Sequence, residues 1–270
     1  MLIQKKLIMN RIDLLFKQKD KNILSVYFTA GYPRLEDTIP IIRALQQNGV
    51  DLVEIGIPFS DPLADGKILQ LSNQQALRNG MTLQILFSQL QNIREEIRIP
   101  LILMGYLNPV LRFGMEKFCE TANRIGIDGI ILPDLPPDIY QREFKNIFMK
   151  YGLYKIFLIA PETGEERIRT IDREGNGFIY MVSSSTTTGS TGKLGEVQTG
   201  YFKRIHDMKL RLPGLVGFGI SSHETFMQAC KHASGAIIGS AFVGALGAEG
   251  NLERIIKDFV NGIRTGEEQS

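Results

Sequence analysis

The chain has 270 residues, 43% of them hydrophobic and 22% charged, so it is long enough to bury a large core. Its 31 basic and 29 acidic residues leave a formal charge of +2, which gives no indication of a nucleic-acid or membrane-surface partner. The N-terminal apolar run is too short for a signal peptide, and no window reaches the ~18 apolar residues of a membrane span.

The two cysteines, Cys119 and Cys230, lie in separate apolar-periodic segments, and the sequence has no CxxC motif or Cys/His cluster. This pattern argues against a disulfide framework and against a zinc site. It predicts two reduced core thiols in a cytoplasmic protein.

Short apolar runs, which predict strands, alternate along the chain with longer amphipathic stretches, which predict helices. A segment capped by Asn10, residues 11–18, comes first and is expected to cover the bottom of a barrel. The predicted strands are residues 23–28, 52–56, 100–105, 129–133, 154–160, 177–183, 214–219 and 235–240. The predicted helices are residues 37–47, 83–96, 115–124, 138–150, 165–173, 223–233 and 252–263.

The predicted strands are apolar on both faces, as strands inside a barrel or under helices must be. Their number and the chain length match a (β/α)₈ TIM barrel, with an extra N-terminal helix and long loops after strands two and six. No linker or shift in composition divides the chain, so residues 1–270 are expected to form a single domain. A doubly wound open sheet is the alternative.

The stretch VEIGIPFSDPLADG, residues 53–66, holds three carboxylates. Strand alternation places Glu54 on the same face as Leu52; if that face looks into the barrel, desolvation raises the pKa of Glu54 and suits it to acid–base catalysis. A satisfied structural ion pair is the alternative for Glu54.

Asp61 and Asp65 follow in the loop, where Asp-Pro and Asp-Gly steps are also ordinary turn chemistry. Two carboxylates near one barrel mouth can divide two roles between them.

Glycine-rich turns follow the last two predicted strands: GFGISS at 217–222, with Ser222 as a helix cap, and Gly239-Ser240. Loops at these positions commonly bind phosphate through backbone N–H groups and a helix N-terminus. Loop flexibility alone is the alternative.

The polar stretch 183–196 after strand six predicts a lid over the mouth of the barrel rather than a spare linker. Its Lys193 is expected to be solvated rather than bound to phosphate.

After strand three, Asn108-Pro109 predicts a turn. The apolar residues beside it, Val110, Leu111 and Phe113, indicate either a partner surface or packing on the barrel's own helices. The three histidines, His206, His223 and His232, lack metal-ligand spacing and are expected to be non-catalytic. No lysine ends a predicted strand, which argues against a Schiff-base mechanism.

The motif VEIGIPFSDPLADG resembles the signature of the tryptophan synthase alpha chain family. Further stretches resemble the family in order and spacing: TAGYP at 29–33, MGYLNP at 104–109, ILPDLP at 131–136, Thr188-Gly189, GFGISS, and IIGSAFV at 238–243. The resemblance implies a carbon–carbon lyase of tryptophan biosynthesis that cleaves indole-3-glycerol phosphate to indole and glyceraldehyde 3-phosphate without a cofactor or metal of its own. It also implies a heterotetramer with a beta chain, which uses pyridoxal phosphate to join indole to serine.

The resemblance also implies roles for single residues. Glu54 would be the acid–base group, and Asp65 would bind the indole N–H. The remaining implied residues are Tyr27 and Tyr180 in the indole pocket, Thr188 and Gly189 in the lid, Gly189, Gly219, Ile220, Gly239 and Ser240 around the phosphate, and Asp61, Tyr106 and Asn108 at the beta-chain interface. Tyr27 stands where the family often has Phe, the lid is unusually rich in Ser and Thr, and residues 1–8 match nothing in the pattern.

Two other functions stay open at this point. One is another phosphate-binding barrel enzyme, such as an isomerase or the indole-glycerol-phosphate synthase type, although the latter depends on a strand-end lysine. The other is a non-catalytic subunit that only activates a beta-chain partner, against which the presence of both Glu54 and Asp65 argues.

Overall fold

The strands of the computed structural model, which describes residues 9–62, 65–182, 196–217 and 219–267, close into a barrel. Each strand runs parallel to the next in sequence, and β8 pairs with β1. The strands are β1 (Ile23–Thr29), β2 (Leu52–Gly56), β3 (Leu101–Met104), β4 (Gly129–Ile131), β5 (Tyr154–Ile159), β6 (Ile179–Val182), β7 (Gly214–Gly217) and β8 (Gly235–Ile238). The (β/α)₈ prediction is therefore confirmed, and the open-sheet alternative is wrong.

Helices cover the outside of the barrel and its lower end. They are α1 (Arg11–Gln18), α2 (Thr38–Gln47), α3 (Lys67–Arg78), α4 (Leu83–Gln89), α5 (Leu107–Phe113), α6 (Met115–Ile125), α7 (Pro137–Ile139), α8 (Lys145–Lys150), α9 (Glu165–Glu174), α10 (Glu196–Asp207), α11 (His223–Cys230), α12 (Ser240–Leu246) and α13 (Leu252–Thr265). A π-helical turn, Tyr140–Phe144, joins α7 to α8. Within the described ranges, no helix combines the length and apolar character that a membrane crossing requires.

The lower barrel interior is apolar and is closed by the first helix. Alternate residues of the strands point inward and pack together there: Ile23, Leu52, Ile102, Ile131, Ile156, Leu215 and Ile237. Ile12 of α1 is fully buried among them. The Asn10 side chain caps this helix by accepting the Ile12 N–H at 2.9 Å. The prediction that the N-terminal helix covers the barrel bottom is confirmed.

The turn predicted at Asn108-Pro109 is wrong, because both residues lie in the first turn of α5. Proline is tolerated there, since the first N–H groups of a helix have no intrahelical acceptor. Val110 is fully buried, and Phe113 packs against Phe87 with ring centroids 5.4 Å apart. Leu111 stays 47% exposed. Most of this apolar segment therefore packs on the barrel's own helices.

Helix α3 is absent from the predicted elements, and the helix predicted over residues 83–96 ends at Gln89. The buried face of α3 carries Ser72 and Asn73 beside Leu69 and Ala76, which hides the apolar period. Both polar residues have partners, since Ser72 hydrogen-bonds the Thr29 hydroxyl at 2.8 Å and Asn73 accepts the Phe59 N–H at 3.0 Å.

One lysine is fully buried inside a strand. Lys155 of β5 alternates with Ile156, which points into the barrel, so the lysine faces the helix layer and does not reach the interior. Its Nζ donates to the Ile156 carbonyl at 2.8 Å and lies 4.4 Å from the centroid of the Phe157 ring. Burial lowers the pKa of Lys155 to about 7, opposed by the charge of Asp134.

Replacing Lys155 with methionine is expected to raise the free energy of unfolding at pH 7 by about 1–2 kcal/mol, because the buried ammonium has a desolvation penalty. The folded-state pKa lies below the unfolded value, so this penalty shrinks as pH rises from 7 towards 10.5. Urea unfolding at pH 7 and pH 9.5 measures it, with the exposed Lys203→Met as control. A loss of stability at pH 7 would contradict the prediction.

Candidate active site

Glu54 lies inside the barrel, in register with Tyr27 of β1 on one side and Ile102 of β3 on the other. Its side chain is completely buried. Ser25 donates a hydrogen bond to Oε1 at 2.9 Å, whereas Oε2 has no hydrogen-bond partner among the described residues. Nor do those residues form an ion pair with Glu54, so they give no support to a structural role. A buried carboxylate oxygen without a partner points to a group that acts on a ligand.

Burial raises the pKa of Glu54 to about 8, and the hydrogen bond from Ser25 opposes this rise only in part. At neutral pH the side chain is therefore mostly protonated. It can donate a proton first and accept one afterwards.

Asp65 lies in the loop between β2 and α3 and is partly buried. Its N–H donates to the Pro62 carbonyl at 3.0 Å, and its own carbonyl accepts from the Gln70 side chain at 2.9 Å. Burial raises the pKa of Asp65 to about 6, while the nearby Tyr106 hydroxyl lowers it. Asp65 is therefore mostly ionised at pH 7, and the two carboxylates differ in charge as a pair with divided roles requires.

Two buried tyrosines, Tyr27 and Tyr180, stand beside these carboxylates. Burial raises the pKa of both phenols, and so do the charges of Glu54 and Asp65, which places the rings near both groups. Each ring depends on a glycine in a neighbouring strand. A Cβ on Gly56 would overlap the Tyr27 hydroxyl, and a Cβ on Gly217 would overlap the Tyr180 ring.

The two glycine turns predicted to hold phosphate follow β7 and β8, which pair directly. Gly219 has a φ of +75°, a conformation that favours glycine. Gly239 lies next to Tyr27, since a Cβ there would sit 3.5 Å from the ring. Ile220 is buried, whereas Ser240 is exposed and begins α12. The two candidate phosphate loops therefore begin beside Tyr180 and Tyr27, the two tyrosines next to the carboxylates.

Tyr106 is the residue whose position the sequence did not reveal. The family pattern places it at the partner-facing rim, yet it lowers the pKa of Asp65 and so lies near that carboxylate. Its ring packs against Phe59 with centroids 5.0 Å apart. The other rim residues, Asp61 and Asn108, are exposed. No local pattern could have indicated that Tyr106 and Asp65 lie near each other, because they belong to two different loops.

The predicted lid, with Thr188, Gly189 and Lys193, falls in residues 183–195, outside the described residues. Among the three histidines, the His223 ring nitrogen Nδ1 lies 2.9 Å from the Ile263 carbonyl oxygen, on the outer helix layer. In the described part of the chain, no group of three or more His, Cys, Asp or Glu side chains is arranged to hold a metal ion. Cys119 and Cys230 are buried and free.

Comparison with known proteins gives consistent results. Residues 15–265 match the family model described as tryptophan synthase alpha chain. The tryptophan synthase alpha chain of Flavobacterium johnsoniae is 60% identical over 256 residues, which cover 95% of this chain and 100% of the relative. A crystal structure of tryptophan synthase subunit alpha from Legionella pneumophila matches with a TM-score of 0.85 at 34% identity, over 95% of this chain and 97% of that one. A crystal structure of the tryptophan synthase complex from Pyrococcus furiosus matches with a TM-score of 0.82 at 34% identity, over 91% of this chain and 98% of that one.

Proposed function

The chain belongs to the tryptophan synthase alpha chain family, and on that premise we propose that Glu54 and Asp65 carry the two charge changes of its reaction. That reaction is the alpha reaction of tryptophan biosynthesis, in which indole-3-glycerol phosphate is cleaved to indole and glyceraldehyde 3-phosphate. The observation that carries the proposal is the fully buried Glu54 carboxyl, with one oxygen that has no partner among the described residues. Asp65 lies near the same two tyrosines as Glu54.

Glu54 acts first as an acid and then as a base. Its carboxyl group gives a proton to C3 of the indole ring, which leaves the ring nitrogen positively charged. The resulting carboxylate then takes the proton of the hydroxyl group on the carbon bonded to C3. The O–H electrons form the aldehyde C=O bond, the C–C bond breaks, and its electron pair returns to the ring and neutralises the nitrogen. Glu54 ends protonated, as it began, which suits a pKa of about 8.

Asp65 stabilises the positive charge on the indole nitrogen by accepting its N–H, which requires the ionised carboxylate. Tyr27 and Tyr180 shape the indole pocket beside it. Backbone N–H groups of Gly219, Ile220, Gly239 and Ser240 bind the phosphate, together with Gly189. Thr188 and Gly189 belong to the lid that excludes water during the reaction. The single domain over residues 1–270 holds all of these groups.

As an alpha chain, the protein assembles with the tryptophan synthase beta chain in an alpha2-beta2 complex. The exposed Asp61 and Asn108 and the half-buried Tyr106 are proposed to face that partner. The alpha chain needs no cofactor of its own, and pyridoxal phosphate belongs to the beta chain. The two buried free thiols support a cytoplasmic location.

Indole release from indole-3-glycerol phosphate, measured from pH 5 to pH 9 with and without the beta chain, tests this function. We expect slow release alone, faster release in the complex, and a bell-shaped kcat/KM profile with limbs near pH 6 and pH 8. The lower limb reports loss of the Asp65 charge, and the upper limb reports loss of the Glu54 proton. Absence of indole in both conditions would refute the lyase activity, and equal rates would refute activation by the partner.

A further inference from the structure

A cavity of about 340 Å³ opens at the lower rim of the barrel. Its wall includes Ile179 and Gly214, the first residues of β6 and β7, and Ser234, which precedes β8. Because the strands run parallel, these strand starts lie at the opposite end of the barrel from the loop that carries Asp65. Sites for small molecules usually measure ~300–1,000 Å³, so the cavity is large enough for a ligand of its own.

The mouth of this cavity is basic. Basic side chains from three separate segments line it: Lys21 before β1, His206 and Lys209 at the end of α10 and just beyond it, and His232 before β8. The described lining contains no carboxylate. Asp207 lies beside it, with Oδ1 3.5 Å from Nδ1 of His206, and both of these side chains are largely exposed. The two lysines therefore give the mouth an excess of positive charge.

The deeper lining of the cavity is apolar. Ile179 and Met181 of β6 are almost completely buried, and so are Ile205 of α10 and Leu212 before β7. A cavity with an apolar floor and a cationic mouth matches an amphipathic anion. The floor removes an apolar chain from water, and the ammonium groups attract the charged head.

The backbone at this mouth is unusual. Within the described ranges, the non-glycine residues with positive φ are Asn22, at +55°, and Lys209, at +48°. Asn22 adjoins Lys21, and Lys209 follows α10 by two residues, so both lie at the mouth. Asparagine tolerates this conformation, whereas the Cβ of a lysine disfavours it, and glycine is the usual residue just after a helix. Such strain is typical of ligand sites, which indicates that the Lys209 ammonium has a function there.

The other basic groups are held in place by the surrounding fold. The Asn22 carbonyl accepts from Arg264 of α13 at 2.8 Å, which fixes the turn that carries Lys21. The His232 ring stacks on the fully buried Phe202, with centroids 5.8 Å apart and an interplanar angle of 25°. This ring and the main chain beside Lys21 therefore lose little freedom when a ligand binds.

We propose that this cavity is a binding site for a small organic carboxylate with an aliphatic chain. The carboxylate lies between Lys21 and Lys209, and the chain lies on Met181 and Leu212. An aliphatic chain suits the floor, because its described residues include no aromatic side chain. A compact phosphate would leave the floor empty. The inference is independent of the function proposed for the upper end of the barrel.

Octanoate, titrated against the full chain and followed by NMR of the histidine rings, tests the proposal. The chain has three histidines, and His223, with Nδ1 2.9 Å from the Ile263 carbonyl oxygen, is the internal control outside the cavity. We expect the signals of His206 and His232 to shift with a Kd on the order of 1 mM, the range for a ligand of this size. The signal of His223 should stay in place.

Inorganic phosphate and 1-octanol, titrated in the same way, should give no saturable shift. Absence of a saturable shift of His206 and His232 with octanoate would overturn the proposal. Equal shifts with phosphate would reduce the cavity to a cationic patch, and equal shifts with 1-octanol would reduce it to an apolar one. Either result would also overturn a carboxylate site.

The double variant Lys21→Gln/Lys209→Gly removes both ammonium groups. Glycine fits the positive φ of residue 209, so the variant should unfold at or above the wild-type temperature, and unfolding then does not explain a loss of binding. We expect it to bind octanoate about tenfold more weakly. Lys257→Gln, on an exposed side chain of α13, is the matched control and should bind octanoate as the wild type does. Wild-type affinity in the double variant would contradict the proposal.

Discussion

Replacing Glu54 with glutamine is expected to reduce indole release by about 10³-fold, because general acid–base catalysis typically contributes ~10²–10⁴-fold. Glutamine keeps the size of the side chain and an acceptor for Ser25, so the pocket stays filled. What it loses is the proton that must reach C3 of the ring and the base that must accept one back.

The same substitution is expected to stabilise the protein above pH 5. Burial holds the folded-state pKa of Glu54 near 8, against 4.5 in the unfolded chain. Below pH 4.5 both states are protonated, so the full stability of this group is present. As pH rises from 4.5 to 8, ionisation of Glu54 lowers the free energy of the unfolded chain, whereas in the folded state the group stays largely protonated. Glutamine cannot ionise, so its advantage should grow across this window to on the order of 2–4 kcal/mol.

Urea unfolding at pH 5, 6, 7 and 8, combined with the indole assay, measures both effects on one pair of proteins. Glu120→Gln, on the exposed face of α6, is the control and should show neither. A constant stability difference across the four pH values would show that the pKa of Glu54 is ordinary in the fold. Full activity of Glu54→Gln would remove the residue from the reaction.

Asp65→Asn is expected to lower kcat/KM by about 10²–10³-fold, the size of effect seen when a group that stabilises transition-state charge is removed. A neutral amide no longer offsets the positive charge that forms on the indole nitrogen. Because the titrating carboxyl is gone, the acidic limb near pH 6 should vanish from the profile, while the limb near pH 8 stays.

The pH dependence of kcat/KM for the isolated chain gives this result directly, with Asp138→Asn, on an exposed side chain of α7, as control. Persistence of the acidic limb in Asp65→Asn would assign it to another group. A loss confined to KM would mean that Asp65 binds the substrate without stabilising the reaction.

Prediction from sequence succeeded where the decisive interactions are local. The apolar runs placed all eight strands, and alternation along one strand put Glu54 on the same face as Leu52, which the structure shows to be the inner face of the barrel. It failed for α5, because the Asn108-Pro109 pair is also typical of a turn. It failed for α3, because the polar Ser72 and Asn73 interrupt the apolar period of the buried face. These two polar residues are buried only because other parts of the fold supply their partners.

The proximity of Tyr106 to Asp65 illustrates a different limit. Both residues lie in segments that were predicted from the sequence to be functional. Neither segment alone indicates the distance between the two loops in the folded chain. Register along the barrel decides that distance. The lid and the phosphate contacts remain predictions, carried by the family pattern and by the position of the glycines.

The pairing of β8 with β1 has a consequence for how the chain acquires its properties during synthesis. Strand β1 and Ile12 leave the ribosome early, but the last strand that encloses them is made some two hundred residues later. Until then β1 keeps an unpaired edge, and water can reach the interior beside Glu54. The raised pKa of Glu54 is therefore a property of the closed barrel. In an incomplete chain, this residue is a glutamate with an ordinary pKa.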